Sequence, residues 1–390
     1  MSEGSADVVI VGGGVSGCAI AHAVAPDLDV LLLEGDQIAT GGATALAAGE
    51  VTMTPSYTDY PAVATHAMDF FRSFDGTRQF AFHERPSVEL VPTDREGEAR
   101  RRADRLAHEG FAVEFQDPAE VEADHPRLDL AEYAGAIHHE DTGFLDPYTL
   151  AVTLQQEAET RGATVETGRT VTEVLVEDDA VAGVRTEAGR VDADQVVVAA
   201  GWRTRDLLAG VLEVPVRPYR TQVVVLDPDP PMADDFPMGW IPGEHVYFRP
   251  ERNGDLLVGG WSFAEDDPEA ASGNEDEAFR DHVAALVPRF LHDMDRAGFV
   301  DGWAGVDAAT PDTRPVVDAP AHAPEGLVVA TGFNGRGVMT APVTASLVRD
   351  FLLEAEPSLP TEPFALDRFE SRSDDFPFIS ISSGDESYAE

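Results

Sequence analysis

The chain of 390 residues contains no lysine, a single cysteine and little positive charge of any kind. Every one of its 27 basic residues is an arginine. The missing lysine excludes a Schiff-base amine, a P-loop lysine and a lysine general base. With Cys18 alone, an intramolecular disulfide is impossible and secretion gains no support. No run of about 18 apolar residues is present, and Met1 to Asp7 is polar without a basic region, so no integral membrane segment is expected and the protein reads as cytoplasmic. Internal repeats and zinc-type clusters are also missing. His138-His139-Glu140 lacks the ligand spacing of a helical metal site, so no metal is expected.

The acids dominate. Seventy-two Asp and Glu against 27 arginines leave a formal charge of −45. Such a surface repels phosphate backbones and anionic lipid, which argues against a nucleic-acid partner. It suits a very salty cytoplasm, because at molar salt the Debye length falls to about 3 Å and self-repulsion is screened. A halophilic origin is therefore expected.

What remains is a folded chain too long for one ordinary compact domain, with 43% hydrophobic and 25% charged residues. Asp7-Val8-Val9-Ile10-Val11 reads as a strand that stops at Gly12-Gly13-Gly14 and gives way to a helix from Val15-Ser16-Gly17. A second strand, Val30 to Leu33, ends at Glu34, completing a βαβ unit with a parallel pair. Apolar runs at 195–201 and 327–332 read as further strands of the same sheet, buried on both faces. A helix is expected from about Val338 to Leu353. Pro147 to Arg161 reads as a helix capped by Asp146, and Thr170 to Asp192 as a small meander. The segments between these differ in texture: short strands, including Thr221 to Leu226, His245 to Arg249 and Leu256 to Gly260, separated by Pro/Asp loops. Helical patterns at Glu96 to Glu109 and Ala278 to Ala297 would cover one face of that second sheet.

The expected fold is α/β, with a Rossmann-type nucleotide-binding domain assembled from discontinuous segments and a mainly antiparallel α+β substrate domain. The first takes residues 1–79, 143–217 and 301–372, the second 80–142 and 218–300, and 373–390 is expected to be a frayed acidic tail.

Gly12-x-Gly14-x-x-Gly17 carries a specific physical reading in this context. The first glycine permits the tight turn, the second lets backbone approach a pyrophosphate, the third packs helix on strand, and the helix N-terminus attracts the anion. Glu34, at the end of the second strand, is placed to accept hydrogen bonds from ribose hydroxyls. Adenine-dinucleotide binding is expected, with a purely structural glycine turn as the alternative. Cys18, one residue inside that helix, reads as a small core residue.

Several motifs extend this. Gly41-Gly42-Ala43-Thr44-Ala45-Leu46-Ala47-Ala48-Gly49 resembles the small-residue loop along the flavin in the FAD oxidoreductases of the D-amino-acid oxidase, glycine oxidase and sarcosine oxidase family. Gly143-Phe144-Leu145-Asp146-Pro147, Val171, Val198-Ala199-Ala200-Gly201-Trp202, Thr310-Pro311-Asp312 with Pro315, and Gly332-Phe333-Asn334-Gly335-Arg336-Gly337 follow in that family's order, spanning about residues 7 to 355. The resemblance implies FAD as the dinucleotide, with Val171 on its adenine side and Ala200, Gly201 and Trp202 along it. Gly332, Asn334, Gly335, Arg336, Gly337, Val338 and Met339 would lie beside the isoalloxazine. There a glycine-rich turn entering a helix directs free N–H groups and a positive dipole end at the ring. Val15, Ser16, Gly42, Ala43, Thr44, Ala47, Ala48 and Gly49 complete the expected FAD contacts. Cys18 is the only thiol and the small-residue loop holds no histidine, so the FAD is expected to be non-covalent.

On the substrate side, Tyr247 and Arg249 alternate on one strand and share a face. By resemblance Tyr247 stands where the amino-acid oxidases place a tyrosine near the substrate carboxylate, although a half-buried sheet tyrosine is the competing reading. Arg249 reads either as a bidentate carboxylate holder or as a sheet arginine paired with an acid. For Arg336 a functional and a solvent-facing structural role stand equal. The sequence departs from the family in two places: the stretch after Trp303-Ala304-Gly305 runs Val306-Asp307 without an arginine, and no lysine stands near the flavin. Either a substrate carboxylate falls to Arg249, Arg336 or Arg314, or the substrate differs from a simple amino acid. The expected activity is FAD-dependent oxidation of a C–N bond in a small amine or amino acid. Oxidation of a 2-hydroxy acid or glycerol phosphate, and a non-catalytic flavin-binding assembly factor, are the alternatives. The electron acceptor stays open.

Overall fold

The computed structural model describes residues 2–380. Its first sheet has a parallel centre. Ser2–Val11 lies between Val30–Glu34 and Arg190–Val198, with Thr164–Thr167 beyond the one and Leu327–Thr331 beyond the other. Val8, Val9, Ile10, Val196 and Val197 are fully buried, as strands covered on both faces must be. The expected meander is present as Val171–Glu177, Ala180–Thr186 and the start of Arg190–Val198, paired antiparallel on one edge.

Helices Val15–Val24, Pro147–Thr160 and Gly337–Leu352 pack together over this sheet. Pro147–Thr160 begins as its sequence dictates: Asp146 Oδ1 accepts a hydrogen bond from the Thr149 N–H at 2.6 Å, and Pro147 fills the first turn. Cys18 is fully buried among these helices and burial raises its thiol pKa, which keeps it protonated and inert.

The second sheet runs in the order Gly298–Ala309, Arg217–Asp227, Leu256–Ala264, Val246–Pro250, Met238–Ile241, Ser87–Pro92, Tyr133–His139, Val113–Gln116. All neighbours are antiparallel except Met238–Ile241 with Ser87–Pro92. One face closes an apolar core with Phe248, Phe279 and Phe290 under helix Glu277–Leu286. The other face is turned toward the first sheet. A small sheet of Glu50–Val51, Gly143–Leu145 and Phe82–Glu84 joins the two lobes.

Three expectations need correction. Gly298–Ala309 and Arg217–Asp227 pair along their whole lengths, so the expected divisions at 217/218 and 300/301 fall inside two continuous strands, and residues 298–309 lie in the second sheet. The helix expected over 278–297 ends at Leu286 and tightens into a 3-10 turn, Val287–Arg289, because Pro288 has no N–H for the next helical bond. The tail is not frayed through Ser380. Phe378 stacks on Tyr219 with ring centroids 5.0 Å apart, Arg217 Nη1 donates to the Phe376 carbonyl at 2.9 Å, and Arg205 pairs with Asp374 at 2.8 Å. The aromatic residues within that acidic stretch anchor it. Residues 381–390 lie outside the described residues. Among the described residues no helix is long and apolar enough to cross a membrane.

Candidate active site

A cavity of about 1020 Å3 lies between the carboxyl ends of the parallel strands and the inward face of the second sheet. That is at the upper limit of about 300–1,000 Å3 usual for ligand pockets, and it stands where ligands bind in open α/β folds.

At one end are Gly12, Gly14, Val15 and Ser16. Gly12 has φ +111°, and a Cβ there would stand 2.4 Å from the Ala199 carbonyl oxygen. A Cβ on Gly17 would lie 1.9 Å from the Gly12 oxygen, so Gly17 packs helix on strand and does not itself line the cavity. Gly14 differs: a Cβ on it would meet only Thr44 Oγ1, at 3.2 Å, and would otherwise project into open space. Gly14 brings no side-chain cap of its own to the helix it begins. Glu34 Oε2 accepts from the Gly13 N–H at 2.5 Å and Oε1 from the Asp36 N–H at 2.8 Å, which fixes the carboxylate at the cavity wall with lone pairs to spare. Val171 lines the same end, and Ala200, Gly201 and Trp202 follow along one side.

The small-residue loop forms the middle. Gly42, Ala43, Thr44, Ala47, Ala48 and Gly49 all line the cavity, and a Cβ built on Gly42 meets no atom within 4 Å. Thr44 Oγ1 accepts from the Val15 N–H at 3.1 Å. Two residues of the second sheet hold the loop from behind: Trp303 Nε1 donates to the Leu46 carbonyl at 2.9 Å, and Arg249 Nε donates to the Ala48 carbonyl at 2.7 Å.

At the far end of the first domain the glycine-rich bend enters helix Gly337–Leu352, whose N-terminus carries no side-chain cap. Gly335, Arg336, Gly337, Val338 and Met339 line the cavity. Gly332 and Asn334 do not. Gly332, at φ +72°, lies against Thr310, where a Cβ would stand 2.3 Å from Thr310 Cγ2. Asn334, at φ +49°, turns its amide away from the cavity, so that Oδ1 accepts from the Thr310 N–H at 2.9 Å. Arg336 is buried, with Nη1 donating to the Thr313 carbonyl at 3.1 Å and to Thr313 Oγ1 at 3.2 Å. Asp307, from the second sheet, accepts from the Gly335 N–H at 2.7 Å and the Tyr219 hydroxyl at 3.3 Å. Burial raises its pKa, partly offset by the Gly335 N–H.

Tyr247 lines the cavity from the second sheet, its ring lying across Gly259 on the neighbouring strand, where any Cβ would be 2.2 Å from the phenol oxygen. Burial raises its pKa and the Glu50 carboxyl adds to this, so the hydroxyl is a donor at all ordinary pH. Arg249 shares the strand face but does not reach the cavity. Besides holding Ala48 it pairs with Glu251 at 3.0 Å and lies 4.9 Å from the Phe144 ring centroid. The small-residue loop covers it, which corrects the expectation that it meets a substrate carboxylate. Arg314 lines the cavity, 3.4 Å from Asp59.

Glu50, Tyr219, Thr221, Trp240 and Glu89, which the sequence did not single out as site residues, also line the cavity, as does His139, weighed there only as a metal ligand. The signal for Glu50 was available, as a lone charge directly after Ala47-Ala48-Gly49. For the others, strand alternation marked a face but not what that face meets. Glu89 is paired with Arg102, while both ring nitrogens of His139 and Nε1 of Trp240 have no hydrogen-bond partner within the described residues.

These features define a dinucleotide-binding oxidoreductase in which a separate sheet faces the far end of the cofactor groove. The DAO family, described as FAD dependent oxidoreductase, matches residues 7–351, and the chain belongs to it. It is 26% identical over 386 residues to 4-methylaminobutanoate oxidase (formaldehyde-forming) of Paenarthrobacter nicotinovorans, an alignment covering 93% of this chain and 45% of that protein. It is 30% identical over 197 residues to a glycine oxidase of Pseudomonas putida, covering 50% of this chain and 51% of that one. The chain thus spans about half, or less, of the length of the curated relatives it matches. Among solved structures, glycine oxidase from Geobacillus kaustophilus superposes with a TM-score of 0.83 at 24% identity, covering 94% of this chain and 100% of that one. L-proline dehydrogenase from P. horikoshii superposes with a TM-score of 0.85 at 22% identity, covering 95% and 99%. At those identities the likeness shows the fold.

FAD is the cofactor of this family, and the residues present fit it. Gly14 and Gly42 open on to the cavity where side chains would fill it, and two helix N-termini whose N-cap residues supply no side-chain cap line it.

Proposed function

We propose that this protein oxidises a C–N bond of a small amine or amino acid, with FAD held non-covalently along the cavity. The single observation that carries this is continuity: one cavity connects the Gly12 turn, the Gly335 bend and the Tyr247 face of the second sheet. Bound FAD supplies the hydride acceptor; the chain's residues bind, orient and keep out water.

In this reading Glu34 accepts hydrogen bonds from a ribose, and Gly14, Val15 and Ser16 lie against the pyrophosphate at the helix N-terminus. Gly42, Ala43, Thr44, Ala47, Ala48 and Gly49 offer a surface without bulk. Val171, Ala200, Gly201 and Trp202 flank the nucleotide. The start of Gly337–Leu352, with Val338 and Met339, would stabilise negative charge on the ring through its dipole and N–H groups, with Gly335, its own N–H held by Asp307, beside it. Tyr247 donates a hydrogen bond to the substrate from the opposite wall. With Arg249 held behind the loop, a substrate carboxylate would fall to Arg336 or Arg314.

The acid excess supports work in concentrated salt. Equal melting temperatures in dilute buffer and molar potassium chloride would contradict that part. The main test loads the protein with FAD in concentrated potassium chloride and mixes it anaerobically with N-methyl amino acids, D-amino acids, glycine, proline and 2-hydroxy acids. Bleaching of the flavin's visible band by an amine supports the reading. Bleaching by a 2-hydroxy acid alone replaces it with C–O oxidation. A flavin that only dithionite reduces would leave a flavin-binding protein with little turnover.

A further inference from the structure

Glu50 is the acid that the site as described leaves without a task. It forms the short strand Glu50–Val51 at the end of the small-residue loop and pairs with Phe144. The residue is partly exposed, and the surface it exposes lines the cavity. Its Oε1 is sealed from solvent and has no hydrogen-bond partner within the described residues. A carboxyl oxygen buried without a partner costs about 1–3 kcal/mol, and most when it is charged, while the rest of the side chain borders the cavity.

Its surroundings are specific. The charged or titratable groups facing it are Tyr247 and Arg249, from strand Val246–Pro250. The partner strand Gly143–Leu145 brings none, and the first turn of Gly337–Leu352 brings none beyond Arg336 at its cap. Arg249 spends its donors on Ala48, Pro250 and Glu251, so it fixes the backbone two residues before Glu50 without bonding the carboxyl. The arrangement is an acid held in place beside a neutral phenol, with no arginine bonded to it among the described residues.

We propose that Glu50 receives the substrate's amine, taking a proton from its ammonium form before the carbon is oxidised. This rests on the amine-oxidising reading above. In the step, one N–H bond of the ammonium breaks and its electron pair stays on nitrogen, while the proton forms an O–H bond on Glu50. The neutral amine then loses hydride, carbon's hydrogen with both bonding electrons, to the flavin, leaving an iminium ion. Glu50 returns its proton to solvent when the product leaves. Hydride loss needs the nitrogen lone pair, so a cationic amine does not react until this transfer has occurred. Burial pushes Glu50 up to about 8, partly opposed by Arg249, which places its titration between a typical carboxylate and an alkylamine.

The test is Glu50→Gln against wild type, both loaded with FAD. Flavin content is measured first, then the rate of anaerobic flavin reduction from pH 6 to 10, with N-methyl amino acids as probes. Flavin content is expected to be equal. In the wild type the second-order rate should rise with a midpoint near pH 8. The variant must capture amine already neutral in solution, roughly one molecule in a hundred at pH 8 for an amine with a pKa of about 10. It should therefore be about 100-fold slower there and converge on wild type toward pH 10. A variant with the wild-type rate and profile would overturn the assignment while leaving amine oxidation intact. A wild type that no amine reduces would end both.

Discussion

The two ends of the cavity are built on opposite plans. At the end proposed for the nucleotide the chain uses backbone: Gly12 at φ +111°, Gly14 open to the cavity, the N-terminus of helix Val15–Val24, and one carboxylate, Glu34, pinned by two N–H groups. At the end proposed for the substrate it uses side chains, Tyr247, Trp240 and Asp307 from the second sheet and Glu50 from the small one, and Trp240 Nε1 and Glu50 Oε1 have no hydrogen-bond partner among the described residues. Backbone can cradle a cofactor whose shape never changes. A substrate that arrives, reacts and leaves needs groups that can change partner or charge.

The sharpest way to break this comparison is at the turn. Gly12→Ala forces an unfavourable φ and a Cβ 2.4 Å from a carbonyl oxygen, and Gly17→Ala one at 1.9 Å. Each should cost at least about 3 kcal/mol. Both variants should purify without flavin, read from the visible spectrum. Next in size is Arg249→Ala. If it belongs to the loop and not to the substrate, losing the bond to Ala48 should weaken FAD binding by about 1.5–3 kcal/mol, or roughly 10–150-fold, measured by titrating the apoprotein. Arg249→Lys should not restore it, since one ammonium cannot reproduce the guanidinium's fork.

Tyr247→Phe should act only on the substrate side, lowering the rate of flavin reduction by roughly 5–10-fold with flavin content unchanged. The smallest expected effect is on stability. The folded Glu50 titrates at about 8 against an ordinary 4.5, so its contribution is fully present below about 4.5 and is lost as pH rises through about 8. Glu50→Gln escapes that loss. By thermal melting it should gain roughly 2–5 °C over wild type at pH 9 and nothing at pH 5.

How much of this could be read from the sequence follows the same division. The glycine turn, the Asp146 cap and the strands buried on both faces rest on local rules, and they stand at the expected residues. Arg249 and Asn334 show where local rules stop. Alternation put Tyr247 and Arg249 on one face correctly, but the same face is open cavity at Tyr247 and covered by the loop at Arg249. A glycine-rich bend suggested an amide beside a ring, yet the left-handed turn carries Asn334 back on to Thr310. Gly298–Ala309 was divided because its pairing with Arg217–Asp227 joins segments some eighty residues apart. Tail residues Phe376 and Phe378 found partners, Arg217 and Tyr219, that no local pattern links to them.

Flavin content and anaerobic reduction by an N-methyl amino acid, measured side by side on wild type, Tyr247→Phe and Arg249→Ala, test the account most directly. It predicts a yellow wild type that the amine bleaches, a yellow and slow Tyr247→Phe, and a flavin-poor Arg249→Ala whose remaining holoprotein reacts. A Tyr247→Phe that loses flavin, with an Arg249→Ala that keeps it and no longer reacts, would contradict it.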